Sequence, residues 1–205
     1  MSERPRRNRA ETEQRLKSAL GTVLAEEGFA ALTPSRIAAA AGVDKMLIYR
    51  YFGDLEGLTE AVAKGPDFFP TLEEVCAGDV AAILALPVPD RAATVAINFA
   101  RCLLERPVVL ELMVWELVER NQLTAIMETS REETGLRIAR DLFGDVADDS
   151  GHRVNAMSAI LGAAVTYLAL RQRKIRWFNG IDLKSEAGWA EIEATIRAMT
   201  ANLAA

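Results

Sequence analysis

A chain of 205 residues, half of them apolar and 26% charged, carries enough apolar mass for a core without disulfide or metal staples. Its net charge of −5 argues against wholesale coating of nucleic acid, but the charge is uneven. Residues 1–64 hold ten Lys and Arg against nine Asp and Glu, and residues 65–205 hold fourteen against twenty.

The chain opens on a basic arm, residues 1–9, with Arg4, Arg6, Arg7 and Arg9. Glu11, Thr12, Glu13 and Gln14 follow, so the apolar stretch of a secretory leader is not expected. Leu16, Ala19, Leu20, Val23 and Leu24 recur at helical spacing, and Gly28 closes that helix. Thr33 before Pro34 starts a second helix, the hydroxyl capping it and the proline filling its first position. It runs through Ile37 to Gly42. Asp44 opens a short third helix from Lys45 to about Tyr51, and Asp54 a fourth that ends at Gly65 and Pro66.

Pro66, Pro70, Pro87 and Pro89 bracket a helix predicted over about 71–86. Further helices are predicted near 91–105, 107–120, 122–143, 153–174 and 185–202. An acidic loop, 144–151, and the stretch 175–184, with Trp177 and Asn179-Gly180, separate the last three. Period-two alternation of useful length is absent, and no β-hairpin is expected.

Two helices joined by a tight turn need particular residue types at fixed offsets. Counting from Pro34, the fifth position is Ala38, small enough for a second helix to approach. The ninth is Gly42, which can adopt the left-handed conformation of the turn. Ile37, Ala41, Val43, Ile48 and Tyr51 fall on the inward positions, although Tyr51 can face either way. This is the pattern of a helix-turn-helix.

The run Gly42-Val43-Asp44-Lys45-Met46-Leu47-Ile48-Tyr49-Arg50-Tyr51-Phe52, followed by Leu58, resembles the N-terminal domain of the tetracycline-repressor (TetR) family. Glu27-Gly28-Phe29 and Leu32-Thr33 fit the same family's link between its first two helices, and Trp177-Phe178-Asn179-Gly180 with Gly188-Trp189 resembles its last two. The resemblance implies an all-α dimer. An N-terminal three-helix helix-turn-helix DNA-binding domain (residues 1–64, arm included) is followed by a helical ligand-binding and dimerisation domain (residues 65–205). The N-terminal part of a recognition helix reaches base edges in the major groove. Here that part is Lys45, Met46 and Leu47, with Arg50 one turn on. Lys45 can donate to guanine O6 or N7, and Met46 and Leu47 suit thymine methyl groups. By resemblance, Thr33, Ser35, Arg36, Tyr49 and Tyr51 hold phosphates, which fixes register without reading sequence. A core aromatic is the other reading of Tyr49. The family often carries a phosphate-binding Lys at the start of the fourth helix, where this chain has Leu55. That leaves the helix N-terminus and the basic arm to compensate.

In the C-terminal part, Arg91, Thr94, Asn98, Arg101 and Glu105 fall on one polar arc of an otherwise apolar helix. Phe99, Cys102, Leu103, Met113, Trp115, Met127 and Tyr167 are expected to line a mostly apolar effector pocket, with Glu111 as its polar group. The run 156–170 is uncharged and apolar all round, with Ala159, Gly162, Ala163 and Ala164 as small surfaces. At fifteen residues it is shorter than the roughly 20 needed to cross a bilayer. It is expected to pack, together with the last helix, in a four-helix interface between two copies of the chain.

Cys76 and Cys102 lack metal-ligand spacing and read as free thiols, which points to the cytoplasm. His152 is the only histidine, and no P-loop, nucleophile elbow or dinucleotide fingerprint occurs. An enzyme is therefore not expected, nor is any cofactor, metal or membrane. The function expected is a homodimeric, ligand-responsive regulator, most readily a repressor released from a palindromic operator on double-stranded DNA by a small, mostly apolar effector. Its two recognition helices would lie roughly one DNA turn apart. A helical small-molecule carrier or interaction protein would explain the apolar C-terminal part but not the first sixty residues.

Overall fold

The computed structural model describes the backbone of residues 4–65, 67–144 and 148–204, and the side chains of 9–65, 67–144, 154–201 and 203. Contacts divide the chain into two compact units, Met1–Phe69 with Pro107–Glu132, and Pro70–Arg106 with Glu133–Ala205. The first unit thus takes in a later stretch of chain beside the N-terminal helices.

In the first unit, helix α1 spans Arg4–Glu27. Arg4, Arg6 and Arg7 are therefore backbone-helical, while their side chains lie outside the described set, as do residues 1–3. Helices α2 (Pro34–Ala41), α3 (Met46–Phe52) and α4 (Leu55–Ala63) follow. Their starts are set by single side chains. Thr33 Oγ1 accepts from the Arg36 amide, Asp44 Oδ1 from the Met46 amide at 2.7 Å, and Asp54 Oδ1 from the Gly57 amide at 2.7 Å. Gly42 takes φ 63° and ψ 40°, the left-handed C-cap that turns α2 into α3. The core beneath these helices is Leu16, Leu20, Val23 and Leu24 of α1 with Ile37, Ala38, Ile48 and Leu58, all buried.

The chain passes through α5 (Leu72–Val75), α6 (Val80–Leu84) and α7 (Val88–Leu104), returns to the first unit for α8 (Pro107–Val118), and continues in α9 (Gln122–Phe143). The single helix predicted over 71–86 is in fact two. Ala77 and Gly78 both have positive φ, 51° and 83°, and Asp79 then caps α6 through the Ala82 amide. In the first unit α8 lies against α1, where a Cβ on Gly28 (φ +82°) would come within 2.8 Å of the Trp115 ring. Arg131 of α9 pairs with Glu116 of α8, and Ser130 Oγ donates to the Ala63 carbonyl at 2.8 Å, so α9 is tied to both α8 and α4.

The second unit is built around α7, against which α5, α10 (Asp148–Gln172) and α11 (Glu186–Thr200) pack. The polar arc predicted on α7 is exposed only at Arg101 and Glu105. Arg91 is 4% exposed and donates to the carbonyls of Leu142 and Leu84, at 2.6 and 2.9 Å. Asn98 donates to the Val75 carbonyl, and Arg101 forms an ion pair with Glu193 of α11. The arc satisfies chain ends and neighbouring helices, which lets α7 be surrounded.

Residues 145–147 of the expected acidic loop lie outside the described residues, and α10 has already begun at Asp148. The segment after α10 corrects the expectation that no hairpin forms. Strands β1 (Trp177–Phe178) and β2 (Ile181–Asp182) pair antiparallel across Asn179 and Gly180, with φ 49° and 84°. Positive φ at both central residues is what a two-residue hairpin needs, and Asn-Gly supplies it cheaply. The strands are only two residues each, too short to show an alternating pattern. The fold is all-α apart from this hairpin.

Candidate nucleic-acid interface

Helix α3 is anchored by Ile48, fully buried, which sends its neighbours outward. Lys45 and Arg50 are exposed, Met46 is 61% exposed, Tyr49 is 45% exposed and Leu47 is half-buried. The four residues predicted to read bases therefore occupy the outer side of a helix whose opposite side is core. Tyr49 lies with them rather than in the core. Tyr51 is half-buried, edge-on to Phe52, with the Arg9 guanidinium 5.0 Å from its ring centroid. Arg9 in turn pairs with Glu13 at 2.7 Å.

Thr33, Ser35 and Arg36 are exposed along the start of α2. The Thr33 oxygen is committed to its cap, and its hydroxyl proton is free to rotate. Arg36 is held by Glu27 from the end of α1, with Nε 2.9 Å from one carboxylate oxygen and Nη2 on the other. That hydrogen bond, with the cation's charge, keeps the Glu27 carboxyl below the usual carboxylate range although desolvation opposes it.

The N-terminus of α4 is a poor place for a phosphate. Asp54 occupies the Gly57 amide, and Glu56 adds a second acid in the first turn. Leu55 is half-buried. The positive end of that helix is already answered from within the chain.

Sequence reasoning missed two contacts that shape this surface. Arg15 Nη2 of α1 donates to the carbonyls of Ala41 (2.5 Å) and Gly42 (3.2 Å), clasping the turn between α2 and α3. The only signal was an arginine one position before the apolar face of α1. The Glu27–Arg36 pair spans nine residues and carries no periodic signal.

The remaining predicted residues fall separately in the two units. In the first, Met113 and Met127 are buried, Glu111 is half-buried, and Trp115 is half-buried with its Nε1 shielded and without a hydrogen-bond partner among the described residues. In the second, Leu103 is fully buried, while Phe99 and Cys102 are half-buried, Phe99 packing against both apolar clusters of that unit. Tyr167 is 49% exposed on α10, and Ala159, Ala163 and Ala164 are exposed on the same helix, with Gly162 half-buried. Among the described residues no group of three or more His, Cys, Asp or Glu is placed to hold a metal ion.

Residues 19–62 match the family described as bacterial regulatory proteins, tetR family. No curated protein matches the chain. Among solved structures, a TetR-family regulator from Streptomyces coelicolor A3 superposes with a TM-score of 0.52 at 18% identity, covering 94% of this chain and 96% of its own. A second member of the TetR transcriptional regulator family from the same organism gives 0.48 at 21%, covering 91% and 89%. The N-terminal helices are thus similar to bacterial regulatory proteins of the tetR family, and the chain as a whole shares the all-helical fold of a solved TetR-family regulator.

Proposed function

We propose that the protein is a ligand-responsive, DNA-binding transcriptional regulator that acts as a homodimeric repressor on a palindromic operator. The observation that carries the reading is the outer side of α3. Met46 and Tyr49 stand in solvent between the cations Lys45 and Arg50, on a helix fixed by Ile48 and by the glycine turn at Gly42. A monomer gains nothing by exposing a methionine and a tyrosine there, whereas a major groove offers thymine methyls, guanine acceptors and phosphates together. Lys45, Met46, Leu47 and Arg50 read bases. Thr33, Ser35, Arg36, Tyr49 and Tyr51 hold the backbone, with Arg9 beside Tyr51 as a further cation.

The effector is a small, mostly apolar molecule. Candidates for its contacts are Glu111, Met113, Trp115 and Met127 in the first unit and Phe99, Cys102 and Leu103 in the second, with Tyr167 on α10 at the margin. The unanswered indole N–H of Trp115 supports an effector that carries an acceptor, because a buried donor without a partner costs roughly 1–3 kcal/mol. Trp115 also packs on Gly28 at the end of α1, so a ligand that shifts this ring shifts the support of the DNA-binding helices. Release follows if the effector favours a dimer state whose recognition helices no longer match the groove. The dimer forms through Ala159, Gly162, Ala163 and Ala164 of α10 together with α11, in the cytoplasm.

Selection of bound sequences from a random DNA pool tests the reading. A palindromic consensus with half-sites one helical turn apart is the expected result. Recovery of no consensus, with only salt-sensitive uniform binding, would leave the apolar helices without a regulatory role and return the carrier reading.

A further inference from the structure

A helix leaves its last carbonyls without partners of its own. In α2 the turn answers two of them, since the Gly42 and Val43 amides donate to the Ala39 and Ala38 carbonyls at 3.1 and 3.0 Å. The Ala41 carbonyl and the Gly42 carbonyl after it are met from another helix. Arg15 Nη2 of α1 donates to both, at 2.5 and 3.2 Å. The same nitrogen packs on the bare face of Gly42, where a Cβ would stand 3.0 Å from it. Gly42 therefore has two reasons to lack a side chain, its φ of 63° and the room it leaves for Arg15.

We propose that Arg15 is a positioning residue for base reading, which sets the direction in which α3 leaves the turn. The proposal rests on the DNA-binding reading of α3 and adds what aims that helix. Helix α3 is seven residues long, and of these only Ile48 is buried. The bonds that open it are local. Asp44 Oδ1 accepts from the Met46 amide at 2.7 Å, and the Asp44 and Lys45 carbonyls accept from the Leu47 and Ile48 amides at 3.0 Å. Such bonds give the helix its form but cannot aim it, because they turn with it. Ile48 and the packing on α4 hold its middle and far end. The start, where Lys45 and Met46 stand, is held through the turn. Arg15 fixes that turn from α1, whose Leu16, Leu20, Val23 and Leu24 are locked in the core. A hydrogen bond to a base edge tolerates little displacement, whereas contacts to phosphates carry no sequence information and adapt more readily.

The position does not suit a phosphate. Arg15 lies at the carbonyl end of α2, whose dipole attracts a guanidinium and repels an anion. A phosphate drawn to it would take the nitrogen from two carbonyls and then stand beside them. The side chain remains exposed, in an open groove that Glu11, Gln14, Ser18 and Ala40 also line, so water can take its place. Its loss frees the turn without emptying the core.

Arg15→Met keeps an unbranched stem and removes the donor. Affinity for the selected operator should fall roughly tenfold per half-site, about the effect of one mismatched base pair. Affinity for unrelated DNA of the same length should stay within about twofold, with unchanged salt dependence, because no phosphate contact is lost. The backbone amides of α3 should exchange faster with solvent. Because one nitrogen makes both bonds, the three donors of a lysine ammonium can replace it, and Arg15→Lys should return most of the operator affinity. Arg15→Gln, with a neutral donor on a shorter stem, carries the comparison if the methionine variant does not fold by circular dichroism. An equal loss on operator and unrelated DNA, with the slope of log affinity against log salt flatter by about 0.9, would make Arg15 a phosphate contact and overturn the role. Lower thermal stability with an unchanged ratio of operator to unrelated affinity would make the clasp structural only, and overturns the role as well. A wild-type chain that selects no consensus from random DNA is a different failure, since it removes the base-reading interface itself.

Discussion

Met46 and Ile160 are exposed to nearly the same extent, 61% and 59%, on helices that treat an exposed apolar side chain in different ways. Met46 stands on a seven-residue helix between Lys45 and Arg50, and its neighbours on the outer side are cations and phenols. Ile160 stands on a 25-residue helix, and the exposed residues around it are Ala156, Ala159, Ala163 and Ala164, with Tyr167 further along. Exposure alone does not name a partner. What surrounds the exposed group does, because cations beside a methionine suit a polyanion that also carries methyl groups, while an uncharged surface of small side chains around one large apolar one suits another protein helix. The sharpest way to break the comparison is to place the same acid at both positions. Ile160→Glu should abolish the dimer and lower operator affinity by roughly 10²–10⁴-fold, the avidity of a second linked half-site. Met46→Glu should also remove operator binding, by repelling phosphates, yet leave the dimer intact by light scattering. If Met46→Glu dissociated the dimer, the two surfaces would not be distinct.

Next in size is Lys45→Ala, which should cost about 1–3 kcal/mol of operator affinity and relax one base position in the selected consensus. An unchanged consensus would move Lys45 from base edges to phosphate.

The same contrast explains how much the sequence discloses. In α2, α3 and α4 single residue types do fixed jobs, as Thr33, Asp44 and Asp54 do in opening helices and Gly42 does in turning the chain, so these boundaries can be read one residue at a time. The helices that follow are specified by apolar composition, and there local signals mislead. The helix predicted over 71–86 breaks at Ala77 and Gly78, where the positive φ at Ala77 belongs to no residue preference. The polar arc of α7 gives no sign of its partners, since one acceptor of Arg91, the Leu142 carbonyl, lies far along the chain in another helix. The Asn179-Gly180 turn was present, but its flanking strands are shorter than any pattern can register. Within the candidate interface, the exposed residues of α3 were legible from the turn spacing. Arg15 and Glu27 were not, since each acts across a tertiary contact that leaves no period in the chain.

Tyr49→Phe should have a smaller effect than Lys45→Ala, about 0.5–1.5 kcal/mol, the net value of one hydrogen bond. Because a phosphate contact carries no base information, the loss should be equal for operator and unrelated DNA. A loss confined to the operator would make Tyr49 a base reader.

The smallest expected effect concerns Glu27, and it separates two uses of Arg36. The guanidinium lies in the candidate phosphate row but is held by the Glu27 carboxylate, so DNA must share it or take it away. If DNA takes it, Glu27→Gln frees the cation in advance. The slope of log affinity against log salt should then steepen by up to about 0.9, the value of one added phosphate contact, with a modest gain in affinity at low salt. If Glu27 instead aims Arg36 at the phosphate, the same substitution should flatten the slope. Acid stability gives an independent check on the pair itself. Hydrogen bonding from Arg36 holds the folded Glu27 carboxyl below its ordinary range, so the folded state binds fewer protons there than the unfolded state. The contribution of the pair is therefore complete above the ordinary carboxylate range, near pH 4.3 or about a unit higher, and is lost as pH falls through the lowered value. Glu27→Gln removes that dependence. Its thermal unfolding midpoint should fall less than that of wild type between neutral pH and pH 3, by an amount kept small because both side chains are well exposed. Parallel decline of the two proteins would show that the pair does not persist in solution, and Arg36 would then already be free to meet DNA.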